Sequence, residues 1–92
     1  MGQLLVKRIV ENGVKRKEVN YRILENRVIV ENNEVVTYGI GIDEYENEQL
    51  LYDEKIKDIF ARLNEAEIFL NMISNNDVSP ENLRGIVEDY MD

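Results

Sequence analysis

The sequence predicts an α+β fold: an antiparallel meander of four to five strands followed by a two-helix hairpin packed on one face. Three observations carry this. Apolar residues alternate with a period of two over roughly the first half of the chain, as half-buried strands require. From Asp58 the period changes to 3.6. The alternating runs are separated by Asn- and Gly-containing pairs, the residues that tolerate tight turns.

Residues 3–11 are apolar and β-branched, with Leu5 and Ile9 on one side and Leu4, Val6 and Val10 on the other. Asn12-Gly13 is a strong two-residue hairpin signal. The returning strand runs to about Leu24, with Val19, Tyr21 and Ile23 sharing a face, and its Lys15-Arg16-Lys17 start is too charged to bury. Glu25-Asn26 reads as a bend. Beyond it Val28 and Val30 form a short strand or an extension of the second one. Asn32-Asn33 is the next turn. Residues 34–43 put Val36, Tyr38, Ile40 and Ile42 on one face, and Val35, Thr37, Gly39 and Gly41 on the other. Residues 44–48 read as an acidic loop, and residues 49–56 as a last strand with Leu50, Tyr52 and Ile56 on one side.

Ile59, Leu63, Ala66, Leu70 and Ile73, widened by Phe69, form the stripe of a helix over about residues 61–74. Asn75-Asn76-Asp77 leads through Val78 to a terminal helix. Ser79 is its N-cap and Pro80 its first residue, and Glu81 complements the positive end of the dipole. Leu83, Ile86, Val87, Tyr90 and Met91 give it an apolar face, and so short a helix needs a surface to lie on. The organisation is one domain, residues 1–92, with the sheet in 1–56 and two helices in 58–92.

The chain is 43% hydrophobic, enough for one core, and 33% charged. It has no cysteine, so neither a disulfide nor a thiolate ligand holds it. No apolar run approaches the ~20 residues of a membrane span, and no signal-peptide pattern opens it. The expectation is a cytoplasmic protein with no membrane association. The net charge of −8 is uneven. Residues 1–30 hold seven basic and three acidic side chains (+4), and residues 31–92 hold four basic and sixteen acidic (−12). Such an acidic majority repels nucleic acid, so a nucleic-acid role would rest on the N-terminal third alone.

Tyr38-Gly39-Ile40, Asp58-Ile59 opening a helical pattern, Val78-Ser79-Pro80 with Leu83, and Val87-Glu88-Asp89-Tyr90 occur in an order that resembles a family of short bacterial proteins, a domain of unknown function. The likeness runs from about Tyr38 to the end. Where that family often has His two residues after its Ser-Pro, Asn82 stands here. The resemblance implies a shared fold and brings no activity.

Catalysis is disfavoured by the inventory. There is no His and no Cys, so the commonest general base and the strongest nucleophile are missing, and a chain this short leaves little room for a substrate cleft. The expectation is no enzyme, no cofactor and no metal. Asp43, Glu44, Glu46 and Glu48 crowd one stretch but lack the spacing of a calcium loop. Glu88 and Asp89 lie near a helix C-terminus, where the dipole disfavours anions; they either reach back to Arg84 or a basic strand residue, or face a basic partner. Gly39 and Gly41 leave a bare patch, crossed either by an aromatic such as Tyr21 or Tyr52 or by another backbone, of this chain or another.

Two surfaces invite contact. Ile68 and Met72 lie off the main helical stripe, covered either by the terminal helix or by a second copy of the chain. Arg8, Lys15, Arg16 and Lys17 could grip phosphates with Tyr21 stacking, although edge-strand lysines also serve to block aggregation. The function expected is a small non-enzymatic protein–protein interaction module, self-associating as a homodimer or meeting an unidentified protein partner through Ile68, Met72, Glu88 and Asp89. The alternative is a nucleic-acid-binding accessory protein using Lys15, Arg16 and Lys17.

Overall fold

The computed structural model describes residues 5–91. Four strands, β1 (Leu5–Asn12), β2 (Lys15–Val30), β3 (Asn33–Glu46) and β4 (Gln49–Phe60), form one antiparallel sheet in sequence order. Helices α1 (Leu63–Asn75) and α2 (Pro80–Met91) follow. The architecture is the expected α+β meander, with four strands because Val28 and Val30 extend β2.

Tyr21 and Ile23 of β2 and Ile40 and Ile42 of β3 are buried on one sheet face. Against them lie Ala66, Phe69, Leu70 and Ile73 of α1, Val78 of the connection, and Leu83 and Val87 of α2. Leu83 is fully buried, a burial that contributes about 1.5–3 kcal/mol. The opposite sheet face carries no helix.

The turns differ in detail from the sequence reading. The first hairpin closes on Gly13-Val14, with Asn12 opposite Lys15 and Gly13 at φ +64°. Positive φ at the first central residue alone is the type II′ pattern, which needs glycine there. The second closes on Glu31-Asn32 (φ 51° and 66°) and the third on Asn47-Glu48 (φ 50° and 72°). Both have the two positive φ values of type I′, the twist that suits a hairpin even without glycine. Moving a turn by one residue shifts each cross-strand partner by two, so the predicted sidedness is preserved.

Two boundaries move for physical reasons. Residues 44–46, expected in a loop, belong to β3, where Glu44 is opposite Val19 and its carboxylate meets Lys17 Nζ at 3.3 Å. Pairing with a basic strand offsets the acidity that suggested a loop. β4 runs on to Phe60 because the change of period at Asp58 marks a bulge, not a helix start. Tyr38 is opposite Phe60 and Ile40 opposite Ile56, so three residues of β4 face one of β3. Asp58 sits in the left-handed region (φ 58°), held by the Asn26 amide (2.9 Å) and the Thr37 hydroxyl.

The bulge settles the glycine question at Gly39. A Cβ there would stand 2.2 Å from the Ile56 carbonyl oxygen and 2.8 Å from the Lys57 Cα. Another backbone approaches, and it belongs to this chain. Gly41 is covered differently, by the aliphatic parts of Arg22, Lys55 and Leu24; neither Tyr21 nor Tyr52 crosses it.

Candidate contact surface

The residues singled out from the sequence separate into three places. The first is where the helices end. β4 finishes at Phe60, α1 begins three residues later, and α2 returns to finish at Met91, so three chain ends meet at one corner of the sheet. Phe60, Phe69 and Tyr90 pack there edge-on or tilted, with ring centroids 4.8–6.2 Å apart. Phe60 and Tyr90 floor a groove of about 400 Å³ lined also by Ile59, Ala61, Glu65, Ile68 and Met91, with Phe69 buried beneath. Ile68 is 61% exposed, Met91 54% and Tyr90 46%. This is an apolar surface left open to water.

Ile68 and Met72, paired in the sequence reading, part company. Ile68 lines the groove, whereas Met72 is half-buried and packs against the core. The terminal helix therefore does not cover Ile68. Glu88 and Asp89 are exposed in the same last turn as Tyr90 and Met91. Arg84 does not reach them. It faces Glu54 of β4 at 3.6 Å, and among the described residues neither Glu88 nor Asp89 has an ion pair. No basic residue stands in the last turn of either helix, so nothing on α2 itself offsets the negative end of its dipole.

The second place is the underside of the helix connection. Arg8 of β1 donates from Nε to the Ser74 carbonyl (2.7 Å) and lies 2.9 Å from the Asp77 carboxylate. The Tyr21 hydroxyl donates to the Val78 carbonyl (2.9 Å). Burial, reinforced by Asp77, pushes the Tyr21 phenol above its ordinary pKa. A cleft of about 270 Å³ remains between Arg8, Lys17, Glu44, Asp77 and Ser79. Its charges are matched within the chain, so this cleft fastens the helical layer to the sheet. At Ser79 the carbonyl accepts from the Asn82 N–H (3.1 Å) and the hydroxyl from the Asn82 side-chain amide (3.1 Å).

The third place is the basic hairpin and the face without helices. Lys15 is exposed, but Arg16 stands 3.7 Å from Glu18 and 4.0 Å from Glu11, and Lys17 is held by Glu44. The acidic stretch is divided likewise. Asp43 and Glu44 point to opposite faces of β3, Asp43 toward Arg22 and Asn20 and Glu44 toward Lys17. Among the described residues no group of three His, Cys, Asp or Glu converges as metal ligands do. Sequence reasoning missed the buried Asn20–Asp43–Arg22 network, in which the Asn20 amide nitrogen donates to Asp43 (2.9 Å) and Glu18 (3.2 Å). Polar residues at alternate positions opposite Tyr21 and Ile23 were its only signal.

Among the described residues no helix is long and apolar enough to cross a membrane. Comparison with curated proteins gives no match, and comparison with solved structures gives none. The model of a family of unknown function, DUF6514, matches residues 2–92. That match reaches across the N-terminal hairpin, where the sequence resemblance had not extended, and takes in every residue of the groove, so the chain belongs to this family of unknown function.

Proposed function

We propose that the chain is a small non-enzymatic protein-contact module that meets another polypeptide through the groove at its helix ends. The observation that carries this is the exposure of Ile68, Tyr90 and Met91 side by side over an aromatic floor. Exposed apolar side chains gathered at a concave site mark contact surfaces, whereas single ones scattered over a surface do not. The absence of His and Cys from the sequence supports a binding role over a catalytic one. Self-association is one case of such a contact, and Ile68, not Met72, is the position that tests it, because Met72 packs inward.

The nucleic-acid reading draws less support. Arg16 and Lys17 already face carboxylates, and a phosphate would have to displace them. A photo-crosslinking amino acid placed at position 68 of the full chain, and at the 94%-exposed Val14 as control, tests the proposal in cells. Adducts with a polypeptide, its own or another, are expected from position 68 and not from position 14. Equal yields at both, or none at 68, would sink the reading.

A further inference from the structure

We propose that the groove at the helix ends binds a cationic, amphipathic peptide segment of another protein, its apolar side chains on Phe60, Ile68, Tyr90 and Met91 and its Lys or Arg side chains toward the acidic rim. This rests on the protein-contact reading above and names the partner's chemistry. About 400 Å³ holds two or three large side chains, the scale of an anchor site and not of a whole interface. An apolar floor alone would take any hydrophobic segment. The charges around it select.

Glu65 lines the groove, and Glu88 and Asp89 stand in the turn that supplies Tyr90 and Met91. The negative end of the α2 dipole shares this corner with the positive end of α1, so the side chains decide the balance, and no basic residue occupies the last turn of α2. Of the cations nearby, Arg84 is engaged by Glu54, leaving Lys57 and Arg62 on β4 and at the start of α1. Carboxylates at a helix C-terminus cost stability unless a positive charge approaches, so a Lys- or Arg-bearing partner gains from groups that the free chain holds at a disadvantage.

The same charges disfavour a second copy that docks through its β2–β3 tip. Apart from the β1–β2 end (Val10, Val14) and the start of β4 (Leu50, Leu51, Tyr52), the exposed apolar feature is the β2–β3 tip, with Val28, Ile29, Val30 and Val35. That tip carries Glu25, Glu31 and Glu34 against one cation, Arg27, which is already paired with Glu25 (2.7 Å) and Glu34 (3.3 Å). Docked into its twin, it would lay acid on acid.

The test titrates the full chain into three fluorescently labelled amphipathic peptides of one length: Leu/Lys, Leu/Glu and Ser/Lys. Only Leu/Lys should bind well. Ser/Lys should be weaker by about tenfold or more, and Leu/Glu should show no saturable binding. Binding of Leu/Lys should weaken as salt is raised. Ile68→Ser, which leaves every charge in place, should cost about tenfold, and Val14→Ser should cost nothing. Equal binding of Ser/Lys together with indifference to Ile68→Ser would mean that cations merely coat an acidic protein, and would overturn the proposal. Light scattering of the free chain separates the remaining case. A dimer that Ile68→Ser dissolves would put a second copy in the groove, overturning the cationic partner while leaving the protein-contact reading intact. If Ile68→Ser moves neither mass nor peptide binding, both readings fail.

Discussion

At Gly39 a single missing methyl decides whether two strands can approach. Its position is filled, in effect, by the Ile56 carbonyl, and neither backbone can give way without breaking the ladder that holds Tyr38 to Phe60. Gly39→Ala should therefore destabilise the fold by about 3 kcal/mol, the upper end of ordinary overpacking costs. Gly85 is the opposite case. It lies inside α2 with nothing within 4 Å of a built Cβ, so Gly85→Ala should stabilise by about 0.5–1 kcal/mol through helix propensity alone. Denaturant unfolding of both variants checks the pair, and a tolerated Gly39→Ala would show that β4 does not follow this path. From sequence, a glycine in a strand reads as close approach or as weakness. Which neighbour approaches depends on a bulge twenty residues downstream, and no local pattern encodes it.

Among the elements, β4 with its bulge is where sequence and structure part furthest. Alternation ends at Asp58, which reads locally as a helix beginning, yet the strand resumes to Phe60 and α1 waits until Leu63. The interactions that hold the bulge are long-range: Asp58 takes hydrogen bonds from Thr37 on β3 and Asn26 on β2. Those donors, Thr37 first and Asn26 second, hold the Asp58 carboxyl below the ordinary Asp pKa. A carboxylate with a depressed folded-state pKa stabilises the fold at pH values above its unfolded pKa. That contribution is lost as pH falls through the depressed value. The melting temperature of the chain should thus drop more steeply below about pH 4 than that of Asp58→Asn, whose amide tolerates positive φ but does not titrate there. Parallel curves for the two proteins would contradict the role given to Asp58. The helices were far more legible. Ala66, Phe69, Leu70, Ile73, Leu83 and Val87 are buried where a 3.6 period places them, because amphipathic spacing is a local signal.

For the whole molecule, two layers leave two surfaces unmatched. The helical layer covers one sheet face and stops short at the corner where Ile68, Tyr90 and Met91 lie open over Phe60. The sheet itself extends past both neighbours as the β2–β3 tip, giving a body 54 Å long and 19 Å thick. Sequence alone offered Ile68 as an apolar residue out of place and Glu88 with Asp89 as acids at an unfavourable helix end. It could not bring them to one corner, since that depends on α2 doubling back antiparallel to α1 through the Arg8 and Tyr21 contacts. Nor could it tell that Met72, four residues from Ile68, turns inward. Amide chemical shifts recorded while the Leu/Lys peptide is added to the full chain test the account most directly. Perturbations should concentrate at residues 59–68 and at the end of α2 around Tyr90 and Met91. Shifts spread evenly over the acidic turns at Glu31 and Glu48, with the groove silent, would contradict it.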